Sequence, residues 1–267
     1  MAAFRTILTA TLLFICALSV QVLPLQAEDD KSKESDIASE SQVDADALEI
    51  LKEMSDALAS LKEFSFDAQV STDETLDNGQ TVQLNGVLKV SVKRPGHLYG
   101  EYTGEGKIRK VWYNDKELTI YNPEKGFYGV LETPGSIDET MDYLIDNYGF
   151  SLPIADIIYS DPYNSFIGNT RDGFVVGDSP VNGKDCVHLA LRAEFADWQI
   201  WVSNDEPALP CKLVINYTQI EGVPQYQAVF TNWNLDPKLN ASVFKPELPE
   251  DAVKIDFINF KQEGDKK

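Results

Sequence analysis

Four runs between residues 186 and 235, CVHLALRA, DWQIWVS, CKLVINYTQ and QYQAVFTNWNL, are dense in β-branched and aromatic side chains. The connections between them draw on Asp, Asn, Pro and Gly, so the block reads as consecutive antiparallel strands joined by short turns. That pattern excludes a helical bundle. It also leaves little for catalysis, because the block holds one histidine, His188, and no G-x-S-x-G elbow.

The period-two signal extends upstream. Phe64, Phe66, Ala68 and Val70 alternate with Ser65, Asp67 and Gln69, and Val82, Leu84, Leu88, Val90 and Val92 continue the pattern beyond the turn signal Asp77-Asn78-Gly79. A long hairpin is expected there. Further strands are expected at 98–102, 108–113, 117–121 and 127–131, and the meander resumes at Gly173.

Helical spacing interrupts this in two places. Leu48, Leu51, Met54, Leu58 and Leu61 share one face of a helix over 47–61, with Asp44 and Asp46 favouring its start. Ser136-Ile137-Asp138-Glu139 is a capping box, Ile137, Met141, Leu144, Ile145 and Tyr148 make an apolar face, and Gly149 is the stop. A short helical segment is expected over 154–159, before Asp161-Pro162. The order is one helix, about six strands, a helical insertion and about five strands. It predicts an α+β fold, one large curved antiparallel sheet with helices on one face.

The ends have a different composition. Residues 1–27 combine Arg5, an apolar stretch over 7–20 and a terminal Ala27, the pattern of a secretory signal peptide. The stretch is shorter than the ~20 residues of a membrane span, so no transmembrane anchor is expected after its removal. Residues 28–46 are acidic and poor in large apolar groups, and are expected to be a disordered linker. Residues 47–260 are expected to form one domain and 261–267 a frayed tail. The expected product is a soluble monomer exported to the periplasm. With 23 basic and 43 acidic residues the chain carries −20, which repels phosphate backbones and excludes a nucleic-acid partner.

Cys186 and Cys211 remain once the leader, with Cys16, is set aside. Export favours a disulfide. The strand register opposes it: with one strand between them the Cα atoms would lie ~9–10 Å apart, beyond the ~7 Å limit for bridging. Cys211 also shares parity with Leu213, Ile215 and Tyr217, and Cys186 with His188 and Arg192. Cys186 and His188 face one side of a strand, but no further ligands with zinc spacing accompany them, so no metal and no cofactor are expected. No catalytic residues can be assembled, and an enzyme, at best a carboxylate hydrolase, is the least favoured class.

Trp198 and Trp201 have opposite parity, so large apolar groups sit on both faces of the sheet and both need cover. Several blocks also resemble a known family. CVHLALR at 186–192, DWQIW at 197–201, LPCKLVI at 209–215, FTNWNL at 230–235 and the N-terminal helix followed by Phe64-Ser65-Phe66 look like the bacterial predicted periplasmic protein family, domain of unknown function 2092, over about residues 47–258. That family is similar in fold to the Lol-type periplasmic lipoprotein carriers. The resemblance implies an incomplete β-barrel with helices across its apolar hollow. It supplies no mechanism and no site residues.

The expected function is binding or carrying a hydrophobic ligand, an acyl chain or lipoprotein. Ile137, Met141, Leu144 and Ile145 would act as lid, and Trp198 and Trp233 as part of the hollow. The alternative is an envelope protein-interaction or sensor module of the same fold, contacting a protein partner rather than a small ligand.

Overall fold

The computed structural model describes residues 42–150 and 152–259. The signal peptide expected over 1–27 and the tail over 261–267 lie outside them, as does most of the expected linker.

Helix α1, Ala45–Ser60, begins two residues earlier than its apolar periodicity suggests and buries Ala47, Leu51, Met54 and Leu58. Asp44 occupies its N-cap position without a side-chain cap, and Asp46 lies in the first turn, where the helix dipole favours it. Just before it, inside the segment expected to be linker, Gln42–Val43 forms a short strand, β1.

Six strands follow: β2 (Glu63–Thr75), β3 (Thr81–Lys93), β4 (His97–Gly104), β5 (Lys107–Asn114), β6 (Glu117–Asn122) and β7 (Phe127–Glu132). Each pairs antiparallel with the next. Gly79, at φ 81° in the β2–β3 turn, takes the left-handed backbone that such a turn requires. Five more strands form the second half: β8 (Thr170–Asp178), β9 (Cys186–Ala193), β10 (Asp197–Ser203), β11 (Pro210–Asn216) and β12 (Gln225–Asn234). β12 pairs with β2 and welds the halves into one sheet.

The strand order is β1-β8-β9-β10-β11-β12-β2-β3-β4-β5-β6-β7-β13, with β13 being Val253–Lys254. The sheet is open, and at thirteen strands it exceeds the ~10 at which twisted sheets begin to curl. An incomplete barrel with helical cover results. It is not wholly antiparallel: β1 on β8 and β13 on β7 run parallel. Hairpin turns force antiparallel neighbours, whereas both outer strands reach their edges through non-hairpin connections. Strands of two residues also blunt the edges against further pairing.

Between the halves the chain forms α2 (Ile137–Tyr148), α3 (Ala155–Ile158) and α4 (Pro162–Ile167). The Glu139 N–H donates to Ser136 Oγ at 3.2 Å, and that hydroxyl donates to Glu139 Oε2 at 2.8 Å. Gly149, at φ 60°, ends α2. Helix α4 departs from expectation, because Asp161-Pro162 starts a helix rather than closing one. Asp161 Oδ1 accepts the Asn164 N–H at 3.1 Å, and proline is tolerated in the first turn, where its missing N–H would be unpaired anyway. None of the described helices is long and apolar enough to cross a membrane.

All four helices and the strands from β2 to β12 contribute to one core on one face of the sheet. Its centre is aromatic: Phe66 lies 5.6 Å from Phe230 and 4.6 Å from Trp233. On the opposite face Cys186, Trp201, Cys211 and Val214 form a separate buried cluster. The sheet thus carries apolar groups on both faces, as the opposite parities of Trp198 and Trp201 require.

The structure corrects the reading of the cysteines. The β10–β11 register slips at Trp201/Val202: Trp201 pairs with Lys212, but Val202 pairs with Pro210. Cys211 is the extra residue of this bulge. Freed from strict alternation, its side chain joins the face of Val214 instead of that of Leu213. Its sulfur lies 2.7 Å from that of Cys186.

Candidate ligand-binding hollow

Alternation places Val70 of β2, Leu84, Leu88 and Val90 of β3, and Val111 of β5 on the concave face, where they line one side of a cavity. Met141 and Leu144 of α2, Leu152 and Ile158 close it from above. The cavity volume is about 380 Å³, within the ~300–1,000 Å³ usual for small-molecule sites.

Two glycines on this face have different effects. A Cβ on Gly86 would lie 2.6 Å from the Tyr102 ring, so Tyr102 covers that position. A Cβ on Gly100 would meet nothing nearer than Val111 at 4.0 Å. Gly100 lines the cavity, and its missing side chain is part of the open space.

The polar groups of the hollow are few. Tyr102 and Tyr226 line it, and burial pushes both phenols up, so they remain neutral donors. The charged residues of the lining are Lys107 and Arg109, on the same face of β5 as Val111. Lys107 pairs with Glu74 at 3.3 Å. Arg109 donates from Nη1 to the neighbouring Ile108 carbonyl at 2.7 Å, and no carboxylate among the described residues pairs with it.

The cover is held by a group that sequence reading missed. Arg94, just after β3, donates from Nη1 to the carbonyls of Leu58 (3.0 Å) and Leu61 (2.7 Å). From Nη2 it donates to those of Ile158 (3.0 Å) and Tyr159 (2.7 Å). One guanidinium thereby supplies donors to carbonyls at the ends of both α1 and α3, adding to the Leu61 N–H that Leu58 already accepts. Burial lowers its pKa, and the charge of Asp138 offsets part of that.

The residues expected to form lid and hollow are dispersed. Met141 and Leu144 line the cavity. Ile137 is buried in the core beside it, and Ile145 is 45% exposed, turned away from the hollow. Trp198 stacks on Phe166 of α4 at 5.3 Å. Trp233 packs on Phe64 and Phe66 and donates to the Pro210 carbonyl at 3.2 Å. Neither tryptophan lines the cavity. The wall from β3 to β6 was legible in principle, since Leu84, Leu88 and Val90 share parity, but which stretch of that face stays open depends on side-chain sizes across many strands. His188 stacks on Trp201 at 3.9 Å and pairs through Nε2 with Gln199 Oε1 at 3.0 Å, a packing arrangement. Among the described residues no group of three or more His, Cys, Asp or Glu could hold a metal ion.

These features define a class: an open, curled sheet whose concave face, roofed by helices, encloses an apolar hollow. The chain belongs to the DUF2092 family of predicted periplasmic proteins, which it matches over residues 47–258, and it is a periplasmic protein. Among solved structures it is similar to an uncharacterised conserved protein from Thermus thermophilus, at 12% identity and a TM-score of 0.46, covering 79% of this chain and 99% of that one. It is similar to the Mycobacterium tuberculosis lipoprotein LppX, at 15% identity and a TM-score of 0.45, covering 72% and 100%. It is also similar to the LolA superfamily protein NE2245 from Nitrosomonas europaea, at 11% identity and a TM-score of 0.35, covering 75% and 97%. No curated protein matches the chain.

Proposed function

We propose that this protein binds a hydrophobic ligand, an acyl chain, in the hollow between β2–β6 and α2, and serves the periplasm as a binding or carrier protein rather than an enzyme. The observation that carries this reading is the cavity of about 380 Å³ whose walls are almost entirely apolar. Protein interiors are packed close to crystal density, so an unfilled apolar space of this size is costly unless something else occupies it. The hollow lies under α2, and Met141 and Leu144 would give way as an acyl chain enters.

The test is lipid extraction and native mass spectrometry of protein purified from periplasm, together with titration by a fluorescent fatty acid. Co-purifying lipid and saturable binding are expected, with both lost in Gly100→Phe at unchanged melting temperature, because the new ring would occupy the hollow. Absence of co-purified lipid together with absence of fatty-acid binding would refute the reading.

A further inference from the structure

We infer that Cys186 and Cys211 form a disulfide in the exported protein. Their sulfurs stand 2.7 Å apart, well inside the ~3.5–4.0 Å at which even unbonded carbon atoms rest. A shift of roughly 0.7 Å would bring them to bonding distance. The bulge at Cys211 is what turns its side chain to the face of Cys186, and the periplasm is an oxidising compartment.

Both cysteines are buried, and burial together with the neighbouring thiol pushes Cys211 up to about 12, so in the finished fold that thiol is a poor nucleophile. The bond would form before folding buries the pair, by exchange with an oxidised dithiol carrier protein. One cysteine thiolate attacks the carrier's disulfide, forming a mixed disulfide and releasing one carrier thiolate. The second cysteine thiolate displaces the other carrier sulfur. The pair loses two protons and two electrons, and the carrier leaves as a dithiol. The bond would tie β9 to β11 across β10.

The experiment is alkylation of unfolded, unreduced protein from periplasm with N-ethylmaleimide, followed by peptide mapping. Expected are unlabelled Cys186 and Cys211 in one linked peptide pair, labelled only after dithiothreitol. The melting temperature should fall by roughly 5–10 °C on reduction. Protein made in a reducing cytosol should label at both residues, whereas a sample refolded with oxidised glutathione before labelling should label at neither. Full labelling of both residues in unreduced periplasmic protein, or failure to link in glutathione, would overturn the proposal.

A second inference rests on the acyl-chain reading and names the ligand's polar end. The geometry points to a carboxylate, as in a long-chain fatty acid. In a chain of net charge −20, the lining of an apolar cavity holds Arg109 with no carboxylate partner among the described residues, while its neighbour Lys107 is already paired with Glu74. Arginine presents a planar fork matched to a carboxylate.

Titration with parinaric acid and with its uncharged methyl ester tests this. The acid should bind about tenfold more tightly than the ester, and Arg109→Gln should remove that preference, bringing acid and ester to within about twofold of each other. Equal binding of acid and ester would overturn the carboxylate assignment while leaving the acyl-chain reading standing. Binding of neither would defeat both.

Discussion

The guanidinium of Arg94 lies 4.9 Å above the ring of Phe64, a fully buried side chain of the core. From that seat it reaches four carbonyls, two at the end of α1 and two at the end of α3. The aromatic core, the longest helix and the roof of the cavity therefore meet at one side chain, since Ile158 both accepts from Arg94 and lines the hollow.

Removing this group should cost more than its own contacts. Arg94→Ala takes a donor from four carbonyls, two of them at the end of α3, and of the four Leu58 keeps the Leu61 N–H. A loss of about 3 kcal/mol or more is expected in urea unfolding, because buried hydrogen bonds to charged groups contribute strongly and unsatisfied acceptors cost further. Arg94→Lys keeps the charge but not the fork and should recover less than half of the loss. Urea midpoints of the three proteins check this. A midpoint of Arg94→Ala equal to wild type would show that the helix ends do not depend on it.

Much of this architecture was legible because local chemistry and global fold agree. The alternation around Phe66 and Val90 places those side chains in the core, and Ser136 with Glu139 forms the capping box that its sequence announces. What was not legible arises where a non-local constraint overrides a local rule. Parity assigned Cys211 to the face of Leu213, and one bulge reversed it. Asp161-Pro162 reads as the boundary after a helical segment, yet it starts α4, whose Phe166 stacks on Trp198. The hollow itself depends on Gly100, whose missing side chain matters only because neighbours on adjacent strands do not fill its place.

The two isoleucines at opposite ends of α2 should behave differently. Ile137 is 2% exposed and its N–H donates to the Pro95 carbonyl at 2.8 Å, whereas Ile145 is 45% exposed. Ile137→Ala should cost about 2–4 kcal/mol, the usual range for emptying a core position. Ile145→Ala should change stability by no more than ~0.5 kcal/mol. Neither lines the cavity, so fatty-acid affinity measured on the folded fraction should be unchanged in both. Equal costs at the two positions would contradict the orientation of α2.

His188 supplies the last expectation, a dependence on pH. Its ring stacks on Trp201, and the Lys212 ammonium lies 4.5 Å from the same indole. Burial lowers the imidazole pKa below its usual 6.5, the Lys212 charge lowers it further, and the hydrogen bond with Gln199 opposes them. Between the folded value and about 6.5 the unfolded chain binds more protons than the folded one, so stability rises with pH across that window and falls as pH drops below 6.5. The urea midpoint should be lower at pH 5 than at pH 7.5, and His188→Gln, which does not titrate, should shrink that difference. Carboxylates of the acidic surface contribute their own slope to both proteins, so the informative quantity is the difference between wild type and variant. If the two curves ran parallel from pH 7.5 to pH 5, His188 would be titrating alike in both states, and its stacking on Trp201 would not disfavour the charged ring.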